Sequence, residues 1–262
     1  MSSTGTIIWL ASYPKCGNTW VRFLLYAALY GPARESIEVS RRIPDIHRPL
    51  PATPPGNGPL MAKTHFMLTD RHPRLADTAR AIHIVRHPRD VLLSALNYRR
   101  LGGMDEKALP AARYADLFIR SGGDPDWLAQ GFGTWAQHAN SWRSTDRFPV
   151  LALRYEDLKS DAAGELGRML TFLGIDRTAE QIATAAKSAS FEAMRAMEIR
   201  EKNDRSKKAP DKRLFVGDDK AARAGHFFMN SGQSGRSLES ISPGLDARLD
   251  AAFAEGLRAC GY

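Results

Sequence analysis

The chain has 262 residues, 43% of them hydrophobic and 25% charged, an ordinary globular composition at a length that suits one large α/β domain or two small ones. Its two cysteines, Cys16 and Cys260, exclude a disulfide scaffold and a four-cysteine zinc site. Lys plus Arg exceed Asp plus Glu by 37 − 29 = 8, a balance that attracts an anionic partner: nucleic acid, acidic membrane or a polyanionic small ligand.

No segment approaches the about 18 continuous apolar residues of a membrane span, so stable membrane insertion is not expected. The N-terminus lacks a basic region before its short apolar run, which makes it a poor signal peptide and a good first strand. A soluble, cytoplasmic protein in a reducing compartment is the expectation.

In chain order, the apolar run Thr6–Ser12 reads as a buried strand, and Tyr13 to Thr19 as a turn. Trp20–Tyr30 is helical, with Trp20, Phe23, Leu24, Ala27 and Ala28 on one face. Residues 43–59 hold six prolines and two glycines and read as a loop. Leu60–His65 is a second strand, and Asp70–Thr78 has helical character. Ala81–Arg86 is a third strand, followed by a helix to about Tyr98 with Pro88 in its first turn. Arg89 and Asp90 read as a charge pair at that helix start. Helices are expected around 110–120 and 132–145, a fourth strand at Pro149–Arg154, and amphipathic helices at Asp161–Leu173 and Thr178–Ser188. Residues 195–236, polar and basic, read as a mobile flap, and Leu245–Arg258 as a closing helix.

Strands alternating with helices give the fold class: α/β, a mainly parallel sheet with helices on both faces. Ligands of such folds sit beyond the carboxyl ends of the strands. Polar clusters at 13–20, 86–94 and 154–157 fall there.

Strand, turn and helix with Lys15 and Gly17 in the turn is the architecture of a phosphate cradle, where backbone N–H groups and the helix dipole bind an anion. Three readings follow. The triphosphatase pattern G-x-x-x-x-G-K-S/T fails because Lys15 precedes Gly17. Cys16 and Arg22 have the C-x5-R spacing of cysteine-dependent phosphatases, and a helix N-terminus lowers a thiol pKa. Against this, the loop holds one glycine, and Arg22 falls inside the helix. The third reading is a sulfuryl-donor loop.

SYPKCGNTW resembles the 5′-phosphosulfate loop, usually YPKSGTTW, of sulfotransferases that use 3′-phosphoadenosine 5′-phosphosulfate (PAPS). Cys16 and Asn18 stand where Ser and Thr are usual. The resemblance implies donor contacts from Lys15, Cys16, Gly17, Asn18, Thr19 and Trp20. Lys63-Thr64-His65 resembles the segment supplying the family's general base, implying His65 in that role with Lys63 in support. IVRHPRDVLLSALNY resembles the 3′-phosphate motif, with Ser94 eight residues after Arg86. An arginine offers such a phosphate a bidentate fork. Ser94 is also implied to restrain Lys15 until acceptor arrives. Leu153 to Leu158 resembles the strand ending in Tyr-Glu-Asp, which brings Tyr155 to the adenine, and Ser190-Phe191 the nucleotide-touching Ser-Phe step.

The C-terminal glycine motif departs from the family form Arg-Lys-Gly-x-x-Gly-x-Trp. Asn230-Ser231 replaces the Arg-Lys pair and Ser237 the tryptophan, leaving Ser231, Gly232, Gln233 and Arg236 as candidate phosphate contacts. This stretch is closer to bacterial enzymes that sulfate peptide antibiotics. The dimer segment of animal cytosolic members, Lys-x-x-x-Thr-Val-x-x-x-Glu, is not found.

The resemblance implies one domain over 1–262 and a metal-independent enzyme that moves a sulfuryl group from PAPS to a hydroxyl of a small-molecule, sugar, lipid or peptide acceptor. Adenosine 3′,5′-bisphosphate (PAP) leaves. The alternatives are the cysteine phosphatase and an inactive nucleotide-binding relative. His83 and His87, at i and i+4 on a strand running into a loop, share no face and find no third ligand, so no metal is expected. The basic run Arg195–Arg213 is interleaved with Glu198, Glu201, Asp204 and Asp211 and lacks aromatics, which argues against a nucleic-acid surface.

Overall fold

The computed structural model describes residues 6–47, 59–103, 107–204, 213–217, 221–222 and 224–262. Most of the proline-rich loop, 48–58, lies outside them, as do 205–212, 218–220 and 223 of the expected flap.

Four parallel strands form one sheet in the order β2-β1-β3-β4: β1 Ile7–Ser12, β2 Leu60–Thr64, β3 Thr78–Val85 and β4 Val150–Arg154. All six residues of β1 are buried, as befits a central parallel strand covered on both faces. Alternate side chains divide between the faces. Leu10 of β1, Ile82 and Ile84 of β3 and Leu153 of β4 pack with Phe23, Leu24 and Met169. Trp9 and Ala11 pack the other way, against Trp142.

The first helical layer comprises α1 Asn18–Tyr30, α2 Ser36–Arg42, α8 Ala162–Leu173, α9 Ala179–Ser188 and α10 Phe191–Asn203. The second is built from α3 Pro88–Leu101, α4 Ala111–Ser121, α6 Trp135–Arg143 and α11 Leu245–Cys260, whose Leu249 and Phe253 pack on Trp135 and Phe118. Short helices α5 Pro125–Ala129 and α7 Tyr155–Ser160 connect larger elements.

Several elements differ from the sequence reading. Asp70–Thr78 is not helical beyond a single 3-10 turn at Leu75–Asp77, and Thr78 already belongs to β3. Thr78 is pinned there by the Trp9 indole N–H, which donates to its hydroxyl at 2.9 Å. Residues 195–203, expected in the flap, continue α10, because Met194, Met197, Glu198, Glu201 and Lys202 are buried along it. Tyr-Glu-Asp begins α7 rather than ending β4. Arg89 does not pair with Asp90. It reaches Asp250 and Asp246 of α11, while Asp90 accepts the Gly235 N–H at 2.9 Å.

The chain moves from β1 to β2 on one side, then returns past β1 to β3. The loops leaving β1 and β3 therefore diverge, and a crevice opens between their carboxyl ends.

Candidate functional site

One cavity of about 710 Å³ opens at this crevice, and its walls include Lys15, Gly17, His65, Arg86, Ser94 and Tyr155. The cradle is built from backbone strain. Lys15 and Gly17 both hold positive φ, 70° and 95°, folding the chain into α1. Glycine is required at 17 for a second reason: a Cβ there would lie 2.6 Å from Cδ2 of the Tyr155 ring. The α1 N-terminus carries neither a capping side chain nor a first-turn carboxylate, which leaves its first N–H groups suited to an anion. Asn18 turns inward, donating to the Leu10 carbonyl at 2.8 Å and the Ser12 hydroxyl at 3.2 Å. Thr19 and Trp20 line the cavity.

Arg86, buried at the tip of β3, knits the mouth together. It donates to the Lys15 carbonyl at 3.2 Å and the Gln233 carbonyl at 3.0 Å, and its guanidinium lies 4.1 Å from the Tyr155 ring centre. Trp20 meets the same ring edge-on at 5.7 Å and is held by the Ala189 carbonyl. Among the described residues, Arg86 Nε and Arg236 Nε, both on residues that line the cavity, are buried without an internal partner. Buried donors call for acceptors, and an anionic, phosphate-bearing nucleotide would supply them. This donor set fits such a ligand.

Lys15 Nζ lies between two aromatic faces, 4.6 Å from the Tyr98 ring centre and 4.3 Å from that of Phe228. Burial, then the charges of Arg86 and Lys63, push its pKa down to about 7, with Glu198 acting the other way. Ser94 lines the cavity one turn before Tyr98 on α3.

His65 stands just beyond the tip of β2. Its Nδ1–H donates to the Ser12 carbonyl at 2.7 Å, leaving Nε2 as the basic nitrogen. Burial and the Lys63 ammonium hold its pKa well below the usual histidine value, partly offset by Ser12 and Asp45. Lys63 is ion-paired with Asp45, and both line the cavity.

At the far end, Ser190 caps α10 by accepting the Ala193 N–H at 3.2 Å. Gly232 passes so close to Phe191 that a Cβ would sit 2.7 Å from its ring. Lys159 Nζ donates to the Gly232 carbonyl, and Ser190, Ser231, Gly232 and Arg236 line the cavity. The sequence reading missed Asp45, Tyr98, Lys159 and Phe228. Lys159, two residues past the Tyr-Glu-Asp triplet, was the most accessible to such a reading, because an extra cation near a phosphate motif is a legible signal.

Three expected residues take other places. The Cys16 side chain is 1% exposed and packs with Tyr13 and Val85, on the reverse side of the cradle. Burial pushes its thiol pKa up, the opposite of an activated nucleophile. Arg22 borders the cavity but spends a guanidinium N–H on the Ile43 carbonyl. The cysteine-phosphatase reading fails on Cys16, whose thiol faces away from the cavity and resists ionisation. Gln233 contributes its backbone carbonyl to Arg86 and is not part of the cavity wall. His83 is buried beside His138, ring centres 5.5 Å apart, while His87 accepts the Arg89 N–H at the start of α3. Among the described residues, no group of three or more His, Cys, Asp or Glu is arranged to hold a metal, and no helix is long and apolar enough to cross a membrane.

A parallel α/β sheet that carries a capless helix N-terminus, a buried arginine and an imidazole at its strand tips suits an anionic ligand. The family model described as "Sulfotransferase domain" matches residues 6–261, and the chain belongs to this family of enzymes. Rat sulfotransferase 1A1 is 28% identical over 198 residues, covering 71% of this chain and 66% of its own length. The dog sulfotransferase 1A1 is 25% identical over 266 residues, covering 96% and 83%. Among solved structures, retinol dehydratase in complex with androsterone and inactive cofactor PAP has a TM-score of 0.71 at 19% identity, covering 98% of this chain and 82% of that one. Mouse sulfotransferase SULT7A1 complexed with PAP has a TM-score of 0.61 at 22% identity, covering 96% and 83%. These two share the fold.

Proposed function

We propose that the protein transfers the sulfuryl group of PAPS to a hydroxyl of an acceptor, releasing PAP, by in-line displacement without a metal. The observation that carries this is the convergence of Lys15, Arg86, Ser94 and His65 on one cavity in a chain of the sulfotransferase family. PAPS supplies an activated sulfuryl group; the protein's task is positioning and charge stabilisation.

His65 Nε2 takes the acceptor hydroxyl proton as the new O–S bond forms. Lys15 and the α1 N-terminus stabilise the negative charge left on the phosphate oxygen when the old S–O bond breaks. Arg86, Ser94 and Arg236 hold the 3′-phosphate, with Ser231 and Gly232 completing the grip where relatives carry Arg-Lys. Ser94 restrains Lys15 until acceptor enters. Trp20, Tyr155 and Ser190 hold the adenosine, and Thr19 with the backbone N–H of Asn18 the 5′-phosphosulfate. Cys16 contributes through its backbone alone.

The acceptor is a hydroxyl compound, with small molecule, sugar, lipid alcohol and peptide as the classes to be tested. Gly232-Gln233-Ser234-Gly235-Arg236-Ser237-Leu238 is related to the glycine–glutamine–basic–serine–leucine segment of bacterial enzymes, which supports a bacterial-type member, and the setting we infer is cytoplasmic. The test is incubation with PAPS labelled in its sulfuryl group and a panel of these alcohols, read as label transfer and as the mass of one added SO₃ unit. Transfer to any hydroxyl supports the reading. PAP binding with no transfer across the panel favours an inactive nucleotide-binding relative.

A further inference from the structure

We propose that Tyr98 and Phe228 are positioning residues, an aromatic clamp that holds the Lys15 side chain as a cation in the cavity and ties segment 227–236 to the cradle. Its catalytic meaning rests on the sulfotransfer reading above; the clamp itself belongs to the free protein.

The two rings reach Lys15 from separate parts of the fold. Tyr98 stands on α3, one turn beyond Ser94. Phe228 belongs to the C-terminal segment, and its place is fixed from beneath. Its backbone N–H donates to Glu198 at 2.7 Å, and that of Met229 to the same carboxylate at 2.8 Å. Glu198 is fully buried on α10 and paired with Lys202 at 3.2 Å. From the α3 side, Asn97 donates to the Phe227 carbonyl at 2.9 Å. The Phe228 ring therefore meets Lys15 because two elements hold its backbone.

The chemistry explains why rings serve here. Burial, Arg86 on the β3 exit and Lys63 on β2 all push the proton off Lys15, and Glu198 on α10 partly opposes them. A neutral amine cannot neutralise charge on a departing phosphate oxygen. A carboxylate against Nζ would keep the proton but would repel an anionic donor and compete for the ammonium. A π face attracts the cation through its quadrupole while carrying no net charge, so it preserves the ammonium and leaves it available to the incoming phosphate.

The test is an NMR titration of the free protein with lysine labelled at Cε, the Lys15 signal identified by its loss in Lys15→Arg. Tyr98→Leu keeps apolar bulk and removes the face; its Lys15 midpoint should fall by roughly half to one and a half pH units. Tyr98→Phe keeps the face and should keep the wild-type midpoint. Phe228→Leu should reproduce the fall from the other side and covers the case in which Tyr98→Leu fails to fold. An unchanged midpoint in the leucine variants, or an equal fall in Tyr98→Phe, overturns the clamp. In turnover, Tyr98→Leu should lose kcat on the basic limb, with donor KM raised more at pH 8 than at pH 6. Wild-type protein that never transfers a sulfuryl group defeats the sulfotransfer reading while leaving the titration result standing.

Discussion

The imidazole of His65 is oriented by the carbonyl of Ser12, 2.7 Å from Nδ1, so that the tautomer is set by the end of the neighbouring strand. β1 and β2 are parallel and in register, Ala11 opposite Thr64, which brings the two residues that follow side by side. A base made this way needs no carboxylate partner, and its low pKa keeps it unprotonated at neutral pH. Replacing His65 with Ala should lower turnover by about 10²- to 10⁴-fold while PAP affinity changes little. The acid limb of the wild-type pH profile should fall below the ordinary histidine value of about 6.5, because only the neutral ring accepts a proton. Steady-state kinetics paired with calorimetry measure both, and wild-type turnover in His65→Ala would refute the assignment.

Lys15 couples nucleotide binding to protons. In the free protein its pKa is near 7, lowered by burial and by Arg86 and Lys63. A bound polyanion favours the ammonium and raises that value. At pH 8 the free amine is mostly neutral, so PAP binding should take up a substantial fraction of a proton; at pH 6 uptake should vanish. Affinity should accordingly weaken as pH rises through 7 to 9. Calorimetry in buffers of different ionisation enthalpy reads the uptake directly. Binding with no proton linkage at pH 8 would mean that Lys15 does not face the phosphates.

Gly17→Ala should disturb Tyr155 without touching a charged group. The added methyl would meet the ring at 2.6 Å, at a φ of 95° that side chains rarely adopt. We expect a stability loss of about 1–3 kcal/mol together with weakened PAP binding. Thermal unfolding and a PAP titration on the same preparation check this, and full affinity would show that Tyr155 has no part in the nucleotide site.

Cys16→Ser should retain turnover, because the thiol packs behind the cradle and its burial disfavours the thiolate. Alkylation of the native protein by iodoacetamide should be slow at Cys16 and rapid after unfolding. Loss of activity in the serine variant, with the fold intact, would restore a role for thiol chemistry.

Much of this site could be read before the structure, for identifiable reasons. A buried parallel strand announces itself as an apolar run, and the cradle, Arg86 with Ser94, and His65 each lie within a short segment where spacing is informative. The closing groups behave differently. Tyr98 and Phe228 meet at Lys15 because α3 and a distant C-terminal segment converge, and nothing local in either segment encodes that meeting. Asp45 sits in the start of a proline-rich loop, and its pairing with Lys63 follows from the Pro44–Ile46 backbone adding to the edge of β2. Arg89 follows the same logic: Asp90 is its neighbour in sequence, but Asp250 and Asp246 are its partners in space. Residues 195–203 looked like a solvated basic flap, yet their carboxylates turn inward to bind backbone N–H groups and lock α10 in place.

Calorimetric titration of the protein with PAP, in parallel with Arg86→Ala, tests the central claim most directly. The account predicts saturable one-to-one binding by the wild type and a roughly 10- to 100-fold weaker interaction in the variant, the scale of a lost charged hydrogen bond. Absence of binding by the folded wild-type protein, or equal affinity in the two, would contradict it.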